Sequence, residues 1–307
     1  RRRVPRPGAL TDPHVLARLA SQEVYAASEI ESYLQCPFRW LVEKQLRAES
    51  LDLAVDALTR GTVAHAALRN LYERLPAEAG AVRVTAGCLP AACGLVDAAV
   101  DAALSEERVP ADASDAMRAD VVRLLLRHLR TEPESLHGFA PAHLEWSFGI
   151  RDEEGPVDLG GFSLKGCVDR IDEAADGSVI VIDYKTGGAV EVRDWAERGK
   201  VQLPLYAAAV AQRFGREVAG CFYRGLTKDS VKRFVGPYVE GRVTGGVAPK
   251  DALSADGFAE AVGDALGRAG AAVAGMRAGE IPAVPAGDAS ETCRYCPARG
   301  YCGRESR

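Results

Sequence analysis

Two aspartates and a lysine carry the strongest chemical signal in this sequence. They lie in the runs Gly166-Cys167-Val168-Asp169-Arg170-Ile171-Asp172 and Val179-Ile180-Val181-Ile182-Asp183-Tyr184-Lys185-Thr186-Gly187. Both runs read as strands, joined by a turn at Asp176-Gly177, so pairing of the strands can bring Asp169 and Asp183 together. Hard divalent cations such as Mg²⁺ take carboxylate oxygens, and side chains two apart on a strand share a face, which puts Lys185 beside Asp183. The plainer alternative is a charged hairpin with a surface ion pair. His65, one turn into a predicted helix, is a candidate metal ligand or an ordinary structural histidine. Gln202 and Tyr206 are spaced i, i+4 and project from one helix face. Glu145, shortly before the first run, either supports the site or is a surface strand residue.

The cysteines form the second signal. Cys293-x2-Cys296-x5-Cys302 places three thiols within ten residues, with Cys36 a distant candidate for a fourth ligand. Zinc and an iron–sulfur cluster both fit such a set. Cys88, Cys93, Cys167 and Cys221 lie in apolar surroundings and read as inert core residues.

These residues need elements to hold them. Ser28 and Glu31 read as a capping box opening a helix over about 29–46. A second helix is expected over about 60–75, ended by Pro76, and the Ala-rich stretch 91–131 adds at least two more. From about 143 the pattern turns to short apolar runs around Leu144 to Phe148, Phe162 to Val168 and Val179 to Ile182. A helix over about 194–213, strands at Val218–Tyr223 and Val231–Val235, and a helix over about 255–277 complete the order. Helices followed by strands and interleaved helices predict a mixed α/β core.

The 307 residues are 47% hydrophobic and 26% charged, a globular balance that excludes a disordered or collagen-like chain. The net charge of −5 is a weak vote against nucleic-acid binding, although a local basic groove can follow a phosphate backbone in an acidic protein. No uncharged stretch approaches the roughly 20 residues that span a bilayer, so no membrane segment is expected. The Arg-rich start lacks the apolar region of a secretory signal, which predicts a cytoplasmic protein.

Taken in chain order, the motifs resemble the RecB-like nuclease family of the PD-(D/E)xK superfamily, especially its iron–sulfur branch, which includes AddB-type helicase–nuclease subunits and CRISPR-adaptation nucleases. The pieces are Cys36-Pro37 after a helix, Gly61-x3-His65, Gly166 to Asp172, Asp183 to Gly187, Gln202-Leu-x2-Tyr206 and the cysteine triplet, spanning Ser28 to Cys302. The resemblance implies a restriction-endonuclease-like core, a mixed central sheet flanked by helices, with a helical insertion at about 77–140 and a Cys-ligated C-terminal clasp. Residues 28–307 would form the nuclease domain and 1–27 a linker or N-terminal extension.

It further implies that His65, Asp169, Asp183 and the Tyr184 carbonyl bind one or two Mg²⁺ or Mn²⁺ ions, that Lys185 orients or activates the attacking water, and that Gln202 and Tyr206 position lysine, water or DNA. Cys36, Cys293, Cys296 and Cys302 would hold a [4Fe–4S] cluster. The implied activity is exonucleolytic hydrolysis of DNA, single-stranded or unwound, in end processing and recombinational repair beside a helicase. A free-standing CRISPR-adaptation nuclease and a catalytically inactive scaffold are the alternatives. Arg39, Trp40 and Lys44 are candidate contacts to a single strand.

Overall fold

The computed structural model describes residues 7–47, 55–150, 154–187, 189–227, 230–231, 233–294, 296–300 and 302–303. Among these the chain runs α1 (Pro13–Ala20), β1 (Val24–Ala26), α2 (Ala27–Gln35), α3 (Pro37–Trp40) with a π turn at Leu41–Gln45, α4 (Val55–Ala79), α5 (Leu89–Gly94), α6 (Val96–Glu106) and α7 (Ala111–Leu129). Then follow β2 (Phe139–Phe148), β3 (Val157–Asp158), β4 (Ser163–Ala174), β5 (Val179–Lys185), α8 (Gln202–Phe214), β6 (Val218–Gly225), β7 (Phe234–Val235), β8 (Tyr238–Val239), β9 (Ala252–Leu253), α9 (Ala255–Arg277) and α10 (Ala289–Thr292).

One mixed sheet in the order β1-β4-β5-β6-β8-β9 organises the molecule, with β2 and β3 also pairing with β4 and β7 with β6. Strands β4 and β5 are antiparallel, closed by the turn at Gly177 (φ 81°). Strands β5 and β6 are parallel, and α8 makes the crossover between them that a parallel pair requires. Strands β5 and β6 are buried along almost their whole length, which is why Val179 to Ile182 reads as an unbroken apolar run rather than an alternating one. Burial divides the core into two. Ile30, Val181, Leu205 and Val273 pack in one cluster with α2, α8 and α9, while Ile180, Ile182, Leu71, Val100 and Leu125 pack in another with α4, α6 and α7. Helices therefore cover both faces of the sheet, the architecture expected from the sequence.

The N-terminal segment joins this core directly: β1 pairs in parallel with Ser163 to Lys165, and the Ile281 amide donates to the Gly8 carbonyl. No helix among the described residues is long and apolar enough to cross a membrane.

Several elements differ from their sequence reading. The helix expected over 29–46 breaks at Cys36, whose extended backbone (φ −170°) precedes Pro37, because the residue before a proline avoids the helical region. Pro76 does not end α4, which runs on to Ala79. With so few residues left, the ring sacrifices only a hydrogen bond in the final turn. The helix expected from 194 is a short 3-10 turn at Val192–Asp194, with α8 starting at Gln202. Between them Gly199 takes φ 65° and lies against Leu34 so closely that a Cβ would meet the leucine Cβ at 2.8 Å.

Candidate active site

Strand register sets the site. Glu145 on β2 and Asp169 on β4 face each other between the pairs Leu144↔Arg170 and Trp146↔Val168. Glu145 has a left-handed backbone (φ 48°), a strained conformation for a residue with a side chain. Side chains on either side of it change cores: Trp146 and Phe148 join the α8 side, whereas Leu144 packs toward the α4 side. Such irregularities at a strand re-aim side chains, and here the result is that Glu145 turns toward Asp169.

Helix α4 supplies His65, whose Nδ1 lies 3.3 Å from Asp169 Oδ1. The second Asp169 oxygen accepts the Tyr184 backbone N–H at 2.6 Å, which locks β4 to the end of β5. His65, Glu145 and Asp169 can each offer a ligand atom within 4.8 Å of the other two. Asp183 lies beside this trio, 3% exposed, with Oδ1 accepting from Gln202 Nε2 at 2.9 Å and Oδ2 2.5 Å from Lys185 Nζ. Lys185 also donates to Gln202 Oε1 at 3.3 Å and lies 4.9 Å from the Tyr223 ring centre.

The electrostatics show an excess of buried negative charge. Burial disfavours a proton on His65, yet Asp169, Asp183 and Glu145 outweigh it and hold the imidazole pKa up at about 9. Burial, reinforced by Asp169 and opposed by Lys185, pushes Asp183 up to about 7. Glu145 is also raised, by burial and then by Asp169. For Lys185, burial favours the neutral amine, but Asp183 prevails and raises its pKa, so the side chain stays an ammonium. Buried carboxylates whose proton affinity is raised by crowding, as at Asp183 and Glu145, are groups a divalent cation can relieve. The donor set fits Mg²⁺ or Mn²⁺, and the buried Asp183 Oδ2, which lacks a well-directed hydrogen bond, leaves lone pairs available to one.

Helix α8 places Gln202 and Tyr206. Its N-terminus has no cap of its own; instead Glu31 of α2 accepts the N–H groups of Val201 and Gln202 at 2.9 and 3.0 Å and pairs with Lys200 at 2.9 Å. This corrects the capping-box reading of Ser28 and Glu31: α2 begins at Ala27, and Glu31 is buried at the start of another helix. Tyr206 is buried with its ring on the bare backbone of Gly166, where a Cβ would come within 2.7 Å of Cε1. Burial raises the Tyr206 pKa, with a Gln202 hydrogen bond opposing. Tyr206 thus reaches the site through Gln202.

The site opens into a cavity of about 440 Å³ between α4 and the segment after β5, lined by Gly61, His65, Arg69, Glu145, Lys185 and Thr186 among others. Cys167 belongs here too. Far from being an inert core residue, its Sγ lies 3.2 Å from Glu145 Oε2. Cys221 is fully buried, whereas Cys88 and Cys93 are half-buried. Trp40 is no platform for bases: it is wholly buried, stacks edge-on against Tyr33 and donates to Glu29 at 3.2 Å. Arg39 pairs with Glu43 at 2.7 Å, and Lys44 is exposed.

The C-terminal segment returns to α2. The Ala286 amide donates to the Gln35 carbonyl at 2.8 Å, and Arg198 pairs with Glu291 at 2.6 Å. Burial raises the Cys296 thiol, and Cys36 and Cys293 act on it in the same direction, so Cys36 lies near two thiols far along the chain, although no three of the four sulfurs come within 4.8 Å of one another. The amide of the fourth, Cys302, donates to Ala298.

A mixed sheet covered by helices, with aspartates, histidine and lysine gathered where β4 and β5 meet α4, defines a protein of the restriction-endonuclease-like class with an acidic centre whose groups could hold a metal ion. The chain belongs to the PD-(D/E)XK nuclease superfamily, whose family model matches residues 25–303. Among solved structures it is similar to the one titled "Crystal structure of SSO0001", at 13% identity and a TM-score of 0.34 over 94% of each chain. None of the proteins of curated function matches it.

Proposed function

We propose that this protein is a divalent-metal-dependent deoxyribonuclease that hydrolyses phosphodiester bonds in single-stranded or unwound DNA. The observation that carries this reading is the junction of two sets of groups: His65, Glu145 and Asp169 within reach of one ion, and Asp183 with Lys185 and Gln202 directly beside them. Asp169, Asp183, Glu145 and His65 would hold the ion, with the Tyr184 carbonyl as a further ligand. A bound Mg²⁺ or Mn²⁺ supplies a water of lowered pKa and offsets charge developing on the phosphate. Lys185, kept protonated by Asp183, is a donor rather than a base; it orients the water or a phosphate oxygen and stabilises negative charge there. Gln202 fixes both Asp183 and Lys185, and Tyr206 and Glu31 hold Gln202 in place.

Two finer assignments accompany this reading. The cysteines Cys36, Cys293, Cys296 and Cys302 would carry a [4Fe–4S] cluster that ties the tail to α2, a reading supported by the return of the tail to α2 through the Ala286–Gln35 hydrogen bond and by the nearness of Cys36 and Cys293 to Cys296. By its resemblance to the RecB-like iron–sulfur branch, the chain would work beside a helicase, domain or subunit, that supplies the unwound strand in end processing and repair.

The test is direct. Purified protein with Mg²⁺ or Mn²⁺ should cleave a labelled single-stranded oligonucleotide, and chelation should stop it. A complete lack of cleavage on single- and double-stranded DNA would leave the inactive-scaffold reading standing. Anaerobic protein should absorb broadly near about 400 nm through thiolate-to-iron charge transfer, a band that d¹⁰ zinc cannot give. Cys302→Ala should bleach it and Cys167→Ala should not; stoichiometric zinc without iron would refute the cluster.

A further inference from the structure

Arg69 lies in the catalytic cavity, and the metal-dependent chemistry gives it no task. It stands four residues after His65 on α4, hence on the same helix face and about 6 Å further along the axis. Among the residues that line the cavity, Arg69 and Lys185 are the two permanent cations. Between them the wall of α4 is made of small side chains, Gly61, Thr62 and Ala66, with Thr186 opposite; a Cβ at Gly61 would meet Thr186 Oγ1 at 3.4 Å. This leaves a narrow channel with one cation at the chemistry and a second one helical turn away.

Arg69 has two weaker contacts on its own helix, Glu73 Oε1 at 3.9 Å and Asn70 Oδ1 at 3.3 Å, and its closest partner comes from the helical insertion. Its Nη2 contacts Glu106 Oε2 of α6 at 2.5 Å, and the neighbouring Asn70 donates to the other Glu106 oxygen at 3.3 Å. Arg69 is 32% and Glu106 44% exposed, and an ion pair of that exposure contributes little, because water and salt screen it. It is therefore an exchangeable pair. A phosphodiester offers a guanidinium the same two-oxygen geometry as a carboxylate does, in charge-assisted bonds of the same kind. Arg69 also acts electrostatically on Glu145, which places it within range of the metal ligands.

We propose that Arg69 binds the backbone phosphate next to the scissile one, and that Glu106 occupies its guanidinium until a nucleic-acid strand displaces it. The proposal rests on the nuclease reading for the identity of the strand. Glu106 acts as an intramolecular stand-in for phosphate, so the helical insertion sets the affinity of the cleft without touching the reacting atoms.

The experiment is binding of a fluorescent single-stranded oligonucleotide by anisotropy, with Ca²⁺ in place of Mg²⁺, over a series of salt concentrations, alongside a Mg²⁺ cleavage assay of the same preparations. Arg69→Gln should weaken binding about tenfold and reduce the slope of log affinity against log salt by about 0.7, the loss of one single-strand phosphate contact. Arg69→Lys should recover most of the slope. Glu106→Gln, which frees Arg69 yet keeps the amide contact to Asn70, should tighten binding about threefold. Thermal midpoints of the variants should match wild type. If Arg69→Gln leaves affinity and slope unchanged while wild type cleaves, the proposal falls and the nuclease stands. If Glu106→Gln weakens binding as much as Arg69→Gln, the displacement idea falls. If the variants behave as expected but wild type never cleaves, the phosphate site stands and the nuclease reading falls. If wild type does not bind the strand at all, both fall.

Discussion

Neighbouring positions on β4 and β5 feed two clusters of charge that differ in closure. Asp169, Asp183 and Lys185 open onto the cavity. Arg170, Asp172 and Tyr184 turn instead into a buried cluster with Tyr72, His128, Glu132 and Arg224. There Arg170 grips Asp172 with two bonds of 2.5 and 2.6 Å and donates to Tyr72, Glu132 and Tyr184 at 2.8, 3.0 and 3.1 Å. Arg224 donates to Thr131 at 2.6 Å and lies 4.1 Å from the Phe234 ring centre. Both clusters mix acids, bases and tyrosines on the same strands. In the buried one a cation stands between the carboxylates; in the open one acids crowd together around a single lysine. Charge that the protein neutralises internally holds elements together, while charge left in excess is available to a ligand.

Substitutions in the two clusters should therefore separate activity from stability. The largest effect is expected from Asp183→Ala or Lys185→Ala: cleavage falls by about 10³-fold or more, in the range seen when a preorganised charge is removed from a reaction centre. The urea midpoint of Asp183→Ala should stay at or above wild type, since the change relieves repulsion from Asp169, whereas Lys185→Ala, which leaves Asp183 without its counter-charge, should lower it modestly. A marked loss of stability would erase the distinction. Arg170→Met should do the reverse and cost about 3–5 kcal/mol in equilibrium unfolding by stranding Asp172 and Glu132.

A pH series sharpens the contrast. Burial pushes the His128 pKa down to about 3, although Glu132 opposes this. The unfolded chain then binds a proton that the folded one refuses between about pH 6.5 and pH 3. Stability from this group is complete above about pH 6.5 and is lost on acidification through that window. His128→Gln should flatten the midpoint-versus-pH curve there. The smallest effect belongs to Glu31→Gln, which weakens the borrowed cap of α8: about 1 kcal/mol of stability, with a several-fold loss of cleavage as Gln202 loosens. Unchanged cleavage would show that the cap does not reach the site.

The sequence is informative where chemistry depends on spacing along one strand or helix. Asp183 and Lys185 come together because strand alternation leaves them no choice, and Gln202 and Tyr206 because one helix turn separates them. The order of helices and strands followed from the same periodicities. Glu31 was misread because a serine three residues before a glutamate is a local signal, whereas its true partners, the amides of Val201 and Gln202, are about 170 residues away. Glu145 was ambiguous for a related reason: its left-handed backbone is imposed by pairing with β4, and nothing in the tripeptide Leu144-Glu145-Trp146 announces it. Trp40 looked like an exposed stacking ring because the break at Cys36-Pro37, which rotates the following turn into the core, is invisible to a periodicity that runs through it.

Helix α2 has a consequence for the newborn chain. Its Glu31 waits for residues 200–202, its Tyr33 for the Glu280 carbonyl, and its Gln35 for Ala286. Contacts of such sequence separation cannot form until the chain has been made through residue 286. A chain ending before residue 280 thus carries every cleft residue yet lacks contacts that fix α2, and with it the Glu31 carboxylate that seats the start of α8, so the alignment of the cleft waits on residues that are not part of it.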